Sequence, residues 1–234
     1  VHKGDRVALI MPNCPQHAVA LYGALRIGAV VAEHNPLAPA EEIRSQLDAH
    51  GARVVIVWEK GIDLITRIID EMLEHENMQF VLLGTGEHDY EEWFKELAWR
   101  HPTKASVNIR FSNQLAQRIY AGSNIFLMPS TFEPCGLGQL IAMRYGTIPV
   151  VRETGGLKDT VVQFDRSDVD KGNGFLFYEY NAHEMMYALK RALAAYGNLR
   201  EWRQLVFTAM HSDFSWKRSA KEYETLYERL LLEN

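Results

Sequence analysis

The chain has 234 residues, 47% of them hydrophobic and 24% charged, with a formal net charge of −5 at pH 7. This balance is typical of a globular protein with a sizeable core. The sequence has no excess of basic residues of the kind that binds nucleic acid. No apolar run approaches the ~20 residues of a membrane span, and no signal-peptide core follows the N-terminal basic residues. With only two cysteines, we expect a reduced, cytoplasmic-type protein without disulfides.

The first 58 residues predict a βαβαβ unit. The run at 6–11 is almost continuously apolar, which is typical of a strand buried on both faces. Proline and glycine interrupt the pattern between the elements, and right-handed crossovers would make the strands parallel. Strands are predicted at 6–11, 29–33 and 53–58, and helices at 16–27 and 40–49.

The same alternation continues to the C-terminus. It predicts strands at 80–83, 106–110, 125–128, 147–151 and 174–177, and helices at 62–74, 87–100, 113–121, 140–145, 182–196 and 215–232. We therefore predict an α/β fold with a single doubly wound, Rossmann-like, mostly parallel sheet of about eight strands flanked by helices. This sheet would make residues 1–234 one continuous domain.

The segment 129–139 is the most informative stretch for function. It follows an apolar strand and leads into a helix, so the backbone N–H groups of Gly136, Leu137 and Gly138 would point out of a helix N-terminus, where a phosphate can be held. Glu133 would place a carboxylate beside the group that this phosphate carries. An ordinary βα loop, in which proline and glycine only turn the chain, explains the spacing equally well.

Three strings in the second half of the chain carry a family resemblance, at 131–139, 145–152 and 154–159. With shorter matches such as Lys60–Leu64 and Leu82–Gly86, they resemble the C-terminal domain of bacterial glycogen/starch synthases. These are retaining glycosyltransferases with two Rossmann domains. The resemblance runs from about Lys60 to the C-terminus.

The resemblance implies a nucleotide-sugar site. Glu133 would match the carboxylate that contacts the transferred glucose, as a vestigial catalytic residue, and Gly136–Gly138 would bind the diphosphate. Lys60 would be a charge partner for the phosphates, or else a solvated surface lysine. The end of a predicted strand, where ligands of open α/β sheets bind, adds Gly84, Thr85 and Gly86. We expect no cofactor and no metal site, since histidines such as His101 lie isolated in the sequence.

The first 60 residues resemble a different family. Strings at 3–15, 24–31, 34–37 and 50–58 resemble acyl-CoA synthetases of the adenylate-forming superfamily, and this match stops near residue 60. The adenylating loop of that family, rich in Ser, Thr and Gly and followed by Pro-Lys, occurs nowhere in the sequence. An acyl-activating enzyme is therefore not expected.

The two resemblances meet near residues 57–60, inside a compact unit and without a linker. We interpret this junction as that of an engineered chimera, built from a synthetase-like fragment at 1–59 and a glycogen synthase-like fragment at 60–234. Such a protein would have no selected catalytic function and would not be an enzyme. It would keep at most weak binding of ADP or ADP-glucose.

The alternative is a truncated glycosyltransferase that still uses ADP-glucose. Against it, the family's arginine before the lysine is replaced by apolar residues at 55–57, and the acceptor-binding domain of the family has no counterpart in the sequence. The C-terminal helix around Tyr223, Leu226 and Leu230 would expose an apolar face without that domain. Such a face favours self-association, or repacking against the fragment at 1–59.

Overall fold

The computed structural model describes residues 6–10, 22, 24–26, 30–34, 54–57, 61–133 and 135–232. Of the predicted helix at 16–27, the described residues are 22 and 24–26, and these are helical. The predicted helix at 40–49 and Lys60 lie outside the described residues. Among the described residues, no helix is long and apolar enough to cross a membrane.

The first three strands form a sheet of their own. Strands β1 (Arg6–Ile10), β2 (Val30–His34) and β3 (Val54–Val57) pair in the order β2-β1-β3. Both pairings are parallel, with Val7 opposite Val31 on one side and Val54 on the other. The three predicted strands and their parallel arrangement are confirmed.

Five further strands lie in residues 61–232 and form two small parallel sheets. One sheet pairs β4 with β5, and the other has the order β6-β7-β8. The strands are β4 (Phe80–Gly84), β5 (Ala105–Ile109), β6 (Ile125–Met128), β7 (Ile148–Arg152) and β8 (Phe175–Phe177).

The prediction of a single continuous sheet of about eight strands is therefore wrong. A single sheet would require the strand predicted at 53–58 to pair with a strand of the second half. Among the described residues, β3 pairs with β1 and has no ladder with β4 or β6. Without that joining ladder the sheets remain separate, and the single domain over residues 1–234 stays a prediction.

Eight helices lie in the described residues from 61 to 232. They are α1 (Ile62–His75), α2 (His88–Arg100), α3 (Asn113–Gly122), α4 (Gly138–Tyr145), α5 (Gly155–Thr160), α6 (Ala182–Tyr196), α7 (Leu199–His211) and α8 (Trp216–Leu232). Helices α5 and α7 were not predicted. Asn198 caps α7 by accepting hydrogen bonds from the N–H groups of Arg200 and Glu201.

The core lies between α1, α6 and the strands beside them. Helix α1 buries Ile65, Ile68 and Ile69, the last two lying three and four residues after the first, as on one helix face. Helix α6 buries Met185 and Leu189 in the same cluster. Each fully buried side chain of this size contributes about 1.5–3 kcal/mol. This packing fixes α1 beside the β6-β7-β8 sheet.

Candidate functional site

The loop between β6 and α4 has the predicted strand–turn–helix geometry. The first N–H to donate inside α4 is that of Ile141, which bonds to the Leu137 carbonyl at 2.9 Å. The N–H groups just before it have no acceptor within the helix. No side chain of the described residues caps the N-terminus of α4. This end of the helix is therefore suited to an anion.

The turn requires glycine at one position and is tightly packed against a second. Gly136 has φ +71°, in the left-handed region, and a Cβ there would lie 2.5 Å from the Gln139 side-chain oxygen. A Cβ on Gly138 would lie 3.1 Å from the Phe126 ring. Leu137, between them, is exposed. The two glycines let the backbone pass close to its own helix while its N–H groups remain accessible.

Gln139 holds this turn from inside and was not recognised in the sequence as a functional residue. Its side chain is fully buried. Its Nε2 donates to the Gly136 carbonyl at 2.9 Å, the Cys135 carbonyl at 3.3 Å and the Thr160 hydroxyl at 3.1 Å. Its Oε1 has no hydrogen-bond partner among the described residues. The amide therefore links the turn to the last residue of α5.

The glycine pair at the start of α5 supports the same loop. The Gly156 N–H donates to the Glu133 carbonyl at 2.8 Å. A Cβ on Gly156 would lie 2.2 Å from the Cys135 carbonyl oxygen, and one on Gly155 would lie 2.1 Å from that of Glu133. Gly155 also has φ +46°. In the sequence, the adjacent glycines at 155 and 156, within the string at 154–159 that carries the family resemblance, were the feature that could have indicated this close approach.

Arg152, at the end of β7, fixes the other side of the loop. Its guanidinium donates to the Thr131 carbonyl and, at 3.3 Å, to the Tyr178 carbonyl. It also lies over the Tyr180 ring, with 5.6 Å between the guanidinium carbon and the ring centroid. The Tyr180 hydroxyl in turn bonds to the Asp63 carboxylate in the first turn of α1. Side chains thus connect the loop to the N-terminus of α1.

Gly61 brings that N-terminus against the loop. It has φ +87°, and a Cβ there would lie 2.0 Å from the Pro129 carbonyl oxygen. Only glycine allows this approach of two backbone segments. The structure thus places the start of α1 beside the start of the 129–137 loop. Lys60, the predicted phosphate partner, lies outside the described residues.

The Glu133 side chain is half-buried on the loop that these contacts support. Among the described residues it forms no ion pair. Gly84, Thr85 and Gly86 lie elsewhere, where β4 of the separate β4-β5 sheet ends. A Cβ on Gly84 or Gly86 would meet nothing within 4 Å. The structure places Glu133 on the same loop as the α4 turn, and it places the Gly84–Gly86 segment at the end of a strand in a different sheet.

The architecture is that of an α/β glycosyltransferase-like fold, with parallel sheets flanked by helices. It resembles the catalytic domain of starch synthase IV from Arabidopsis thaliana, solved with ADP and acarbose. The TM-score is 0.66 and the identity 30%, over 92% of this chain and 52% of that one. Sucrose-phosphate synthase from Thermosynechococcus elongatus shares the fold, with a TM-score of 0.52 and 19% identity over 98% of this chain and 59% of that one.

Residues 1–122, just over half of the chain, match the family model described as AMP-binding enzyme, and by this match the chain belongs to that family. The match extends well past residue 60, where we predicted that the resemblance to adenylate-forming enzymes would end. The glycogen synthase of Clostridium perfringens is 54% identical to this chain over 173 residues, which is 74% of this chain and 36% of the relative. The two similarities therefore overlap.

A second glycogen synthase, from Clostridium acetobutylicum, is 51% identical over 177 residues, or 75% of this chain and 37% of the relative. The chain thus spans little more than a third of these curated relatives. These similarities overturn the prediction of a designed protein without selected function, and with it the prediction that the chain is not an enzyme. Relatives at about half identity are named glycogen synthases, which points to an enzyme.

Proposed function

We propose that this chain carries the nucleotide-sugar half of a glycosyltransferase that transfers glucose from ADP-glucose, as in glycogen synthases. The observation that carries the proposal is the loop at 129–137. Its helix N-terminus is uncapped by described side chains, and its backbone is held by Gln139, Gly156 and Arg152. The stretch lies within the region shared with relatives named glycogen synthase.

The chemistry places two demands on such a site. When the bond between the anomeric carbon and the diphosphate oxygen breaks, negative charge accumulates on the departing ADP and positive charge on the sugar. The N–H groups at Gly136–Gly138 would stabilise the first, because they belong to a helix N-terminus. The Glu133 carboxylate would contact the sugar that becomes cationic. The supports around the loop keep both groups in place before the reaction begins.

An aromatic side chain at the end of β5 fits the nucleotide in this proposal. Phe111 is 85% exposed and lies two residues beyond Ile109, which pairs with Gly84 in the β4-β5 ladder. Ligands of open α/β sheets bind beyond the carboxyl ends of the strands. An exposed ring there offers a stacking surface for a base. The segment Gly84–Gly86 would leave room for the same nucleotide. Lys60 would lie beside the phosphates of that nucleotide.

The direct test is glucose release or transfer from ADP-glucose by the full chain, with glycogen as acceptor. We expect activity above background that falls about a hundredfold or more in Glu133→Ala. The matched control is Glu96→Ala, which removes an exposed carboxylate on α2 and should retain the activity. Absence of activity in the parent chain, or equal activity in Glu133→Ala, would contradict the proposal.

We also propose that α8 mediates self-association. Tyr223, Leu226, Tyr227 and Leu230 are exposed, and their spacing places them on one face of the helix. Light scattering should show a mass that rises with concentration toward that of a dimer. Leu226→Glu should keep the chain monomeric, whereas Glu224→Gln, on the same helix, should not. A monomeric parent chain at every concentration would contradict the proposal.

A further inference from the structure

Two carboxylates and an imidazole converge where α1 lies beside the end of α2. Asp70 and Glu74 are one helical turn apart on α1, and His101 directly follows α2. One ligand atom from each of the three lies within 4.8 Å of the others. The Nε2 of His101 is 2.6 Å from Oδ1 of Asp70. His101 lies far from other ligand residues in the sequence, and the fold brings it onto the side of α1.

The imidazole is held in place before any ligand arrives. The backbone N–H of His101 donates to the Leu97 carbonyl at 3.0 Å. The backbone carbonyl of His101 accepts from the N–H groups of Lys104 and Ala105 at 3.0 and 2.8 Å. Its side chain is 14% exposed, so the ring has little freedom to turn away. Glu74 is exposed, so the three-residue cluster can be reached from solvent.

Arg100 completes the arrangement around Asp70. It donates to Oδ2 of Asp70, which leaves Oδ1 directed at the His101 ring. Carboxylates that ligate metals are commonly held in this way by an outer hydrogen-bond donor. The positive charge of Arg100 also offsets part of the charge of the two carboxylates and therefore limits the affinity for a cation.

We propose that Asp70, Glu74 and His101 bind one divalent transition-metal ion of the Zn²⁺ type. A nitrogen ligand with two carboxylate oxygens suits such an ion, whereas Mg²⁺ and Ca²⁺ prefer oxygen alone. The ion would take the place of the proton between His101 and Asp70, and water would fill the fourth position. Nine residues of helix, about 13 Å, separate Asp70 from Gly61 at the other end of α1. The site is thus distinct from the 129–137 loop.

The test is a calorimetric titration of the tag-free full chain with ZnCl₂ under reducing conditions. We expect saturable binding of one ion per chain, weakened at least tenfold in His101→Ala and in Glu74→Gln. His183→Ala removes an exposed histidine on α6 and should bind as the parent chain does. A titration with Co²⁺ should give the visible absorption bands of a tetrahedral site, and these should be lost in Glu74→Gln.

Two results would overturn the proposal: no one-to-one binding by the parent chain, or parent-like binding by Glu74→Gln. The second variant decides the matter if His101→Ala does not fold, because Glu74 is exposed and its isosteric replacement leaves the core intact. Neither measurement involves ADP-glucose. The proposed metal site can therefore be disproved without disproving the proposed transferase function, and the reverse also holds.

Discussion

The N–H of Gly156 donates a 2.8 Å hydrogen bond to the carbonyl oxygen of Glu133. This bond joins the start of α5 to the loop that carries the proposed catalytic carboxylate. It is short because glycine allows α5 to approach the loop, with no side chain between the two backbones. The position of Glu133 therefore depends on a residue that has no functional group of its own.

Replacing Gly156 by alanine tests this dependence. The new Cβ would lie 2.2 Å from the Cys135 carbonyl oxygen, so the loop or α5 must shift. We expect a loss of about 1–3 kcal/mol in the free energy of unfolding in urea, together with weaker ADP binding. Gly122→Ala is the control, because its Cβ meets nothing within 4 Å. Equal stability and equal ADP affinity in the two variants would show that the loop tolerates displacement.

Gln139 gives a second prediction, which concerns polarity rather than space. Its buried Nε2 donates to two backbone carbonyls of the turn. Gln139→Leu should cost about 1–3 kcal/mol of unfolding free energy, because those carbonyls lose a donor. Gln139→Glu should cost more at pH 7, since a buried carboxylate would face acceptor oxygens.

The control for Gln139 is Gln114→Glu, on the exposed surface of α3, which should change stability by less than about 0.5 kcal/mol. Circular dichroism during urea unfolding is the measurement. If Gln139→Glu were as stable as the parent chain at pH 7, the buried amide of Gln139 would not be needed to hold the turn.

The hydrogen bonds of Asp70 should make the free energy of unfolding depend on pH. Burial raises the pKa of Asp70, but hydrogen bonds from His101 and Arg100 outweigh it and hold that pKa below its ordinary value of 3.8. Because the folded-state pKa is depressed, the stabilisation is present above pH 3.8 and is lost as the pH falls through the folded-state value.

Asp70→Asn should therefore cost about 1 kcal/mol at pH 7, and less at a pH below the folded-state pKa of Asp70. Unfolding curves for the parent chain and the variant at several pH values measure this difference. Glu96→Gln is the control, because its contact with Arg100 is long, at 3.9 Å, and its side chain is exposed. A difference that is independent of pH would mean that Asp70 acts through packing rather than charge.

The strands and most helices were predictable because their signals are local. The apolar run before Pro129 and the one that ends near Arg152 mark β6 and β7 to within a residue. Helix α7 was missed although Trp202, Leu205 and Ala209 have helical spacing. Its Asn198 cap was the signal that should have indicated it.

The sheet arrangement and the supports of the loop could not be read in the same way. An apolar strand such as β3 looks the same in sequence whichever neighbour it pairs with, so the division into three sheets is a long-range property. A glutamine at the start of a helix is usually solvated, and nothing local indicates that Gln139 is fully buried. Its role depends on Thr160, which lies 21 residues away.

The most direct test of the 129–137 loop as a nucleotide-sugar site is a calorimetric titration of the full chain with ADP and ADP-glucose, with Gly156→Ala measured in parallel. We expect one site per chain, with micromolar to low-millimolar affinity that is clearly weaker in Gly156→Ala. Absence of binding to the folded parent chain, or binding that Gly156→Ala leaves unchanged, would contradict the claim that the 129–137 loop is a nucleotide-sugar site.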